Sequence, residues 1–360
     1  MTDELSRNPY RELARSNGKK RIVIGVLAAL SILCFFLSLA LGPAKLTLAE
    51  SFMALFGQGT PTAVRIVQRI RLPEAMAALV AGAGLSIAGL IMQSTLKNPM
   101  ASPSTLGVSN AAVLGANLSI IGFAGGFLDT GNHLDTYLSG ANPYATGAMA
   151  FVFALASTGI ILMLCKIRSF SPETVVLSGI ALGTVWTALT TILQFYATDV
   201  GLSAAVVWSF GDLGRATFET DWIMFAVVAA GAVAFYLLHW RYNAIAADEH
   251  VASSLGVRVG LLRFFSLFIA SLITAVCVSC LGIIGFVGII CPHAMRRIVG
   301  NNHRFLLPAS LLSGSFLLLF SNVMSHLIGG GSALPVGAIT ALMGGPFFLY
   351  LVFARKGGRA

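Results

Sequence analysis

Two cysteines three residues apart, Cys277 and Cys280, form the pair in this sequence with the most familiar chemistry. A CxxC pair binds zinc or exchanges disulfides when a second ligand pair or a thioredoxin-like context accompanies it, and neither is present. We therefore predict that both thiols serve packing. All the cysteines lie in apolar stretches, which argues against a secreted disulfide framework; the others are Cys34, Cys165 and Cys291.

Two histidines, His293 beside Pro292 and His326, are the remaining polar groups of interest inside apolar stretches. Such a residue suggests a functional site, and hydrogen bonding between helices explains it equally well. Scattered histidines are not a ligand pair, so no metal site is predicted. The apolar stretches hold essentially no Asp or Glu away from their ends, which disfavours an ion-coupled secondary transporter.

Motifs for ATP hydrolysis and for hydrolytic catalysis are missing from the sequence. It contains no GxxxxGK[ST] phosphate loop, no HExxH, no GxSxG and no carboxylate pair suited to acid and base work. We predict that the chain is not an enzyme and binds no cofactor itself. A membrane enzyme is the least favoured alternative, since no nucleophile has a base at recognisable spacing.

The composition requires a membrane. With 56% hydrophobic and 10% charged residues, a chain of 360 residues cannot bury its apolar surface as one soluble globule. The formal charge of +9 comes from Lys and Arg between the apolar stretches, as in cytosolic loops that face anionic lipid. No basic stripe with interleaved aromatic residues occurs, so no nucleic-acid partner is predicted.

Hydropathy predicts an all-α, polytopic fold with about ten transmembrane helices and both termini in the cytosol. Residues 1–21 are a cytosolic tail, 22–354 a single transmembrane domain and 355–360 a second cytosolic tail. The first apolar stretch is longer than a signal-peptide core, so we interpret it as an uncleaved span. The predicted spans are 22–41, 72–96, 106–123, 145–165, 175–197, 222–240, 264–281, 282–298, 305–327 and 335–354.

The second span has the features of a central helix. Gly82, Ser86 and Gly89 form a stripe of small residues that lets neighbouring helices approach closely. Pro73 is compatible with a helix that starts at Leu72, because a first-turn proline loses no hydrogen bond. The preceding loop, residues 42–70, is predicted to lie outside with an interfacial helix near 48–56.

Residues 241–263 form a polar island between two apolar spans. Asp248 can cap a short helix and Gly256 can close it, while Val251, Ala252 and Leu255 share one face. Such a helix is too short to span a membrane. It is either an interaction surface or a solvated helix in the headgroup layer.

Several stretches, taken together, resemble the permease subunits of ABC importers for ferric siderophores, haem and cobalamin, the FecCD type. The resemblance covers residues 22–354, and its five ordered matches are specific. They are RLPEAMAALVAGAGLSIAGLIMQ (71–93), NPMASPSTLGVSNAA (98–112), ADEHVASSLGV (247–257), GFVGIICPHAMRR (285–297) and LPVGAITALMGGPFFLYL (334–351).

The resemblance implies a ten-span subunit of the bacterial cytoplasmic membrane, paired with a second copy of itself. Two cytosolic ATPase subunits, which use ATP and Mg²⁺, would drive it, and a substrate-binding protein would dock outside. Ferric siderophore is the expected cargo because it is the largest class, with haem and then cobalamin as alternatives.

The same resemblance implies three sets of site residues. The coupling segment, residues 243–260, would contact the ATPase through Asp248, Glu249, Val251, Leu255 and Gly256. A cytosolic gate would include Asn98 and Met100, and more weakly Pro172 and Glu173, which replace small hydroxyl residues.

Docking of the binding protein would use Arg71, which matches a basic residue of the family. The chain departs from some relatives, because Glu74 and His326 stand where arginines occur. His326 is kept as a fourth expected docking residue, and Arg65 and Arg69 are expected to supply the lost charge. These loop arginines break the positive-inside pattern. They meet either an acidic partner or lipid headgroups.

Overall fold

The computed structural model describes residues 9–44, 46–123, 142–167, 171–329 and 333–353. Residues 1–8 of the predicted N-terminal tail and all of the predicted C-terminal tail, 355–360, lie outside these ranges, whereas residues 9–21 belong to the first helix. The described part is built from helices: α1 Pro9–Ala40, α2 Leu48–Leu55, α3 Pro61–Ile66, α4 Leu72–Thr95, α5 Val108–Asn117, α6 Pro143–Ile167, α7 Pro172–Phe195, α8 Asp199–Ser209, α9 Phe218–Leu237, α10 His239–Ala247, α11 Glu249–Ser254, α12 Val259–Leu281, α13 Val287–Val299, α14 His303–Ile328 and α15 Val336–Phe353.

Each predicted span contains a helix, and the all-α polytopic fold is confirmed. Within the described ranges, seven helical stretches are long and apolar enough to cross a membrane. The three other predicted spans contain shorter helices, namely α5 with the π-helical turn Leu118–Phe123, α13 and α15.

Helix α4 lies at the centre of the bundle, as its small residues predict. A methyl group on Gly82 would overlap the carbonyl oxygen of Gly314 in α14, and one on Gly89 would overlap that of Gly288 in α13. The Ser86 hydroxyl donates to the Ser310 carbonyl at 2.6 Å across the same contact. Small residues thus let three helices pack with their backbones in contact.

The second span begins earlier than predicted. Thr60 caps α3 through a bond from the Ala63 N–H, and Pro61 occupies the first helical position. Helix α3 continues through the π-helical turn Val67–Arg71 directly into α4. The wide turn precedes Pro73, whose ring nitrogen has no hydrogen to donate, so the proline does not start the helix but follows a local widening of it.

The predicted polar island is shorter than 241–263. Helix α10 fills its first part, and α12 already begins at Val259, five residues before the predicted start of the seventh span. Arg263, taken as the end of the island, is only 4% exposed inside α12. Its charge is satisfied by partners described below, so it does not end the helix.

The eighth predicted span is only partly helical. Helix α13 has 13 residues, and a helix of that length spans about 20 Å of a hydrocarbon core about 30 Å thick. Residues 282–286 precede it without helical structure, and Gly282, with a φ of 80°, sits against the Trp208 carbonyl. The non-helical backbone therefore packs against protein, as irregular backbone at membrane depth must.

We use two names for the ends of the bundle. The Arg71 end is where α1 ends and α4 begins, and the Lys97 end is where α4 ends and α12 and α14 begin. The amphipathic helix α2, predicted near 48–56, lies at the Arg71 end and carries a capping box between Thr47 and Glu50.

The contact of α4 with α13 makes Gly89 intolerant of any side chain. Gly89→Ala is expected to lower the free energy of unfolding by about 2 kcal/mol, because the methyl group meets rigid backbone. Gly159→Ala in α6 is the control, since open space surrounds that glycine and alanine favours a helix. Reversible unfolding of the detergent-solubilised protein measures both. Equal stability of the two variants would contradict the packing described for α4.

Candidate functional site

Helix α11 is capped as the sequence predicts. The Asp248 carboxylate accepts hydrogen bonds from the backbone N–H groups of His250 at 2.7 Å and Val251 at 3.3 Å. These bonds lower the pKa of Asp248, because they favour its charged form. Gly256 adopts a φ of 80° just beyond the helix, a conformation that glycine takes at little cost.

The apolar residues of α11 point in two directions, which corrects the prediction that they share one face. Ala252 is fully buried, whereas Val251 is 50% exposed and Leu255, next to the helix end, is 62% exposed. The inner residue fixes the helix to the bundle. The outer pair forms an apolar surface on a helix that lies outside the spans.

Glu249 makes two ionic contacts on the inner side of α11. Its Oε1 accepts a hydrogen bond from Nη2 of Arg263 at 2.8 Å and lies 3.6 Å from Nζ of Lys97. The Arg263 Nε also donates to the Thr95 carbonyl at 2.9 Å. A residue expected to face a partner is thus engaged within the chain on one side, and its side chain is 37% exposed.

The end of α4 is also bonded to α13 and α14. Nη1 of Arg296 donates to Oε1 of Gln93 at 2.7 Å, and the Ser94 hydroxyl lies 2.8 Å from Nε2 of His303. His303 in turn contacts Oδ1 of Asn243 in α10 through Nδ1 at 2.9 Å. The sequence analysis missed this network, because its members are spread over four helices.

The predicted gate residues occupy two turns at the Lys97 end. Oδ1 of Asn98 accepts a hydrogen bond from the Met100 N–H at 2.9 Å, and Met100 is 49% exposed. Pro172 and Glu173 open α7, whose first turn is capped by Ser171. Among the described residues, no hydrogen bond or ion pair joins Asn98 or Met100 to either of them.

At the Arg71 end, Arg71 is a structural residue. It is 3% exposed, and its Nη1 donates to the Leu39 and Ala40 carbonyls at 2.9 Å each. These carbonyls end α1, where no further turn of helix can satisfy them. The Arg71 guanidinium is thus engaged within the chain, and its contact with a docking partner stays a prediction.

His326 is likewise used inside the chain. Its Nε2 lies 3.2 Å from Oε2 of Glu74, and both side chains are largely buried. Of the two explanations left open for this histidine, the structure supports bonding between helices. By contrast, Arg65 and Arg69 are exposed. Of the four predicted docking residues, these two are accessible.

Comparisons with known proteins agree on one family. The profile described as the FecCD transport family matches residues 30–354. The chain is 41% identical over 336 residues to a protein of Methanocaldococcus jannaschii named as an ABC transporter permease, covering 93% of this chain and 95% of that protein. It is 31% identical over 335 residues to the iron(3+)-hydroxamate import system permease FhuG of Bacillus subtilis, covering 93% of this chain and 97% of that one.

A solved structure agrees with these relatives. It is described as an inward-facing conformation of a metal-chelate type ABC transporter, and it matches with a TM-score of 0.77 at 26% identity. The match covers 93% of this chain and 99% of that chain. The similarity therefore extends over the whole bundle.

The buried bonds of Arg71 predict a stability effect. Arg71→Ala is expected to lower the free energy of unfolding by about 2–3 kcal/mol, because it leaves the last carbonyls of α1 without donors. Arg69→Ala, at an exposed position of the same π-helical turn, is the matched control and is expected to change little. Thermal unfolding of the purified protein measures both, and equal melting temperatures would refute the structural role of Arg71.

Proposed function

Because the chain belongs to the FecCD transport family, we propose that it is the permease of an ATP-driven importer whose cargo is an iron chelate, most simply a ferric siderophore. The family establishes a multi-pass membrane protein and a transport subunit of an ABC importer, in which a separate subunit is the ATPase. The names of the relatives support the cargo class, since they include a hydroxamate importer and a metal-chelate transporter. Haem and cobalamin are the alternative cargoes.

In this proposal the Lys97 end faces the cytosol and the Arg71 end faces outward. Both termini are then cytosolic, and most Lys and Arg near the spans fall on the cytosolic side, as the positive-inside rule expects. Two ATPase subunits would work at the Lys97 end, with ATP and Mg²⁺ bound by them rather than by this chain. The substrate-binding protein would approach the Arg71 end.

The observation that carries the proposal is the apolar pair exposed on α11. Val251 lies on a capped helix outside the spans and Leu255 lies just beyond it, and in the described part of the chain they are 50% and 62% exposed. Amphipathic helices that dock into grooves present such anchors. We assign them the contact with the ATPase, while Asp248 and Gly256 shape the helix and Glu249 holds it to the bundle.

The two turns at the Lys97 end are proposed as the cytosolic gate. The Asn98 turn leaves Met100 exposed, and Glu173 is exposed at the start of α7. A flexible, unbranched methionine can fill a variable gap between helices. In the assembled importer these turns would meet their counterparts from a second copy of this chain.

The second copy is itself part of the proposal. Helix α7 buries little of its surface within the chain. Its exposed apolar residues include Leu177, Ile180, Val185 and Ile192. The resemblance to the family supports pairing along this region, with lipid covering the rest of the apolar surface.

Transport and coupling can be tested in one assay. The chain, its ATPase and its binding protein are reconstituted in liposomes, and uptake of labelled ferric siderophore, haem and cobalamin is compared. We expect ATP-dependent uptake of the ferric siderophore. The Val251→Ser and Leu255→Ala double variant should reduce uptake by about tenfold or more, because buried apolar anchors dominate such contacts.

A leucine exposed elsewhere provides the control for that assay. Leu33 in α1 is 55% exposed, and Leu33→Ala is expected to leave uptake unchanged. Uptake that persists without ATP would contradict the proposal of an ATP-driven importer. Uptake of haem alone would identify haem, rather than a ferric siderophore, as the cargo. Normal uptake by the double variant would refute the role of α11.

Docking of the binding protein is proposed to use Arg65 and Arg69. Reversing both to Glu should weaken the affinity for the binding protein by about tenfold, more strongly at low salt, because the exposed charges act through solvent. Lys19→Glu, an exposed charge reversal at the Lys97 end, is the control. Titration of labelled binding protein onto the permease in nanodiscs measures the affinity, and an unchanged affinity would assign these arginines to lipid headgroups instead.

A further inference from the structure

Helix α11 is joined to the bundle by one set of ionic side-chain contacts. It has six residues, and Ala252 is the one buried among them. Its serines and Asp248 bond to backbone within the same segment. Among the described residues, Glu249 makes the only side-chain hydrogen bond or ion pair that leaves the helix, to Arg263 and Lys97.

Arg263 contacts two elements at once. Its Nη2 bonds to Glu249 at 2.8 Å while its Nε bonds to the Thr95 carbonyl at 2.9 Å. Thr95 is the last residue of α4, where carbonyls lack intrahelical donors and a cation is favoured by the helix dipole. The planar guanidinium, 4% exposed, can hold both partners in a fixed geometry.

The Glu249 contacts also reach the residue that precedes the proposed gate turn. Lys97, which also faces Glu249, follows α4 in a left-handed conformation with a φ of 47°. Asn98 and Met100 come next in the same turn. Charged contacts shorter than 4 Å thus connect α11 to the end of α4 and to the residue that begins the gate turn.

We infer that Arg263 and Glu249 form a positioning pair that transmits movement of α11 to the end of α4 and the turn after it. This inference rests on the proposed function, in which an ATPase moves α11. Arg263 touches neither ATPase nor cargo in this role. It acts by keeping α11 and α4 at a constant separation, so that work done on one helix displaces the other.

Uptake per ATP hydrolysed is the quantity that tests the pair. In the liposome assay above, with the cargo that supports uptake there, Glu249→Gln and Arg263→Gln should keep the ATPase bound yet reduce uptake per ATP by about two- to thirty-fold. The double variant should lose less than the two single losses combined, because both changes break the contact between Glu249 and Arg263, although Glu249→Gln also removes the contact with Lys97. Lys19→Gln is the control, since it removes an exposed charge at the same end of the bundle, in α1 and outside the coupling segment.

The outcomes separate this inference from the proposed function. Normal uptake per ATP in the Glu249→Gln variant overturns the inference. Glu249 is partly exposed, so this test does not depend on whether an Arg263 variant folds. Additive losses in the double variant overturn it too. A purely structural Arg263 would lower the melting temperature with unchanged uptake per ATP. If the Val251 and Leu255 variant also keeps its ATPase and full uptake, the role of α11 itself fails.

Discussion

The contact of α4 with α13 and α14 is the constraint on which the rest of this structure depends. Lipid offers no hydrophobic drive for one helix to associate with another, so close packing and hydrogen bonds must hold the bundle together. Glycines at Gly82 and Gly314, and at Gly89 and Gly288, bring backbones together, and Ser86 bonds across the contact. Because α4 is fixed on two sides, both of its ends are fixed too. One end locates Arg71 against α1, and the other presents Thr95 and Lys97 to the proposed coupling helix.

Buried arginines solve a similar problem at both ends of α4. A helix that ends inside protein leaves carbonyl groups without donors, and water is not there to bond them. Arg71 supplies donors to the end of α1, and Arg263 supplies one to the end of α4. Both guanidinium groups are thus engaged within the chain. Arg65 and Arg69, the residues proposed for docking at the Arg71 end, are by contrast exposed.

The sequence predicts features that depend on neighbouring residues, such as spans and helix caps. It does not predict contacts between side chains that are far apart in the chain. The spans, the central stripe around Ser86 and the Asp248 cap depend on residues within one or two turns, so hydropathy and cap preferences predict them. The partner of Arg263 at Thr95 is 168 residues away, and that of His326 at Glu74 is 252 residues away. A charge was therefore interpreted as the end of a span or as a docking group. For the same reason the polar island was predicted to extend to Arg263. An arginine that has partners within the protein can lie inside a membrane helix rather than at its end.

The proposed coupling helix α11 must both stay folded and present an exposed apolar pair, although it is very short. Six residues are too few to form a stable helix alone, because nucleation is costly and one buried alanine contributes little. The Asp248 cap and the Glu249 contacts order it from the inner side, which leaves Val251 and Leu255 free on the outer side. A rigid anchor loses less entropy on binding than a mobile loop would. The inward contacts that the sequence analysis did not foresee thus order the helix that carries the proposed binding surface.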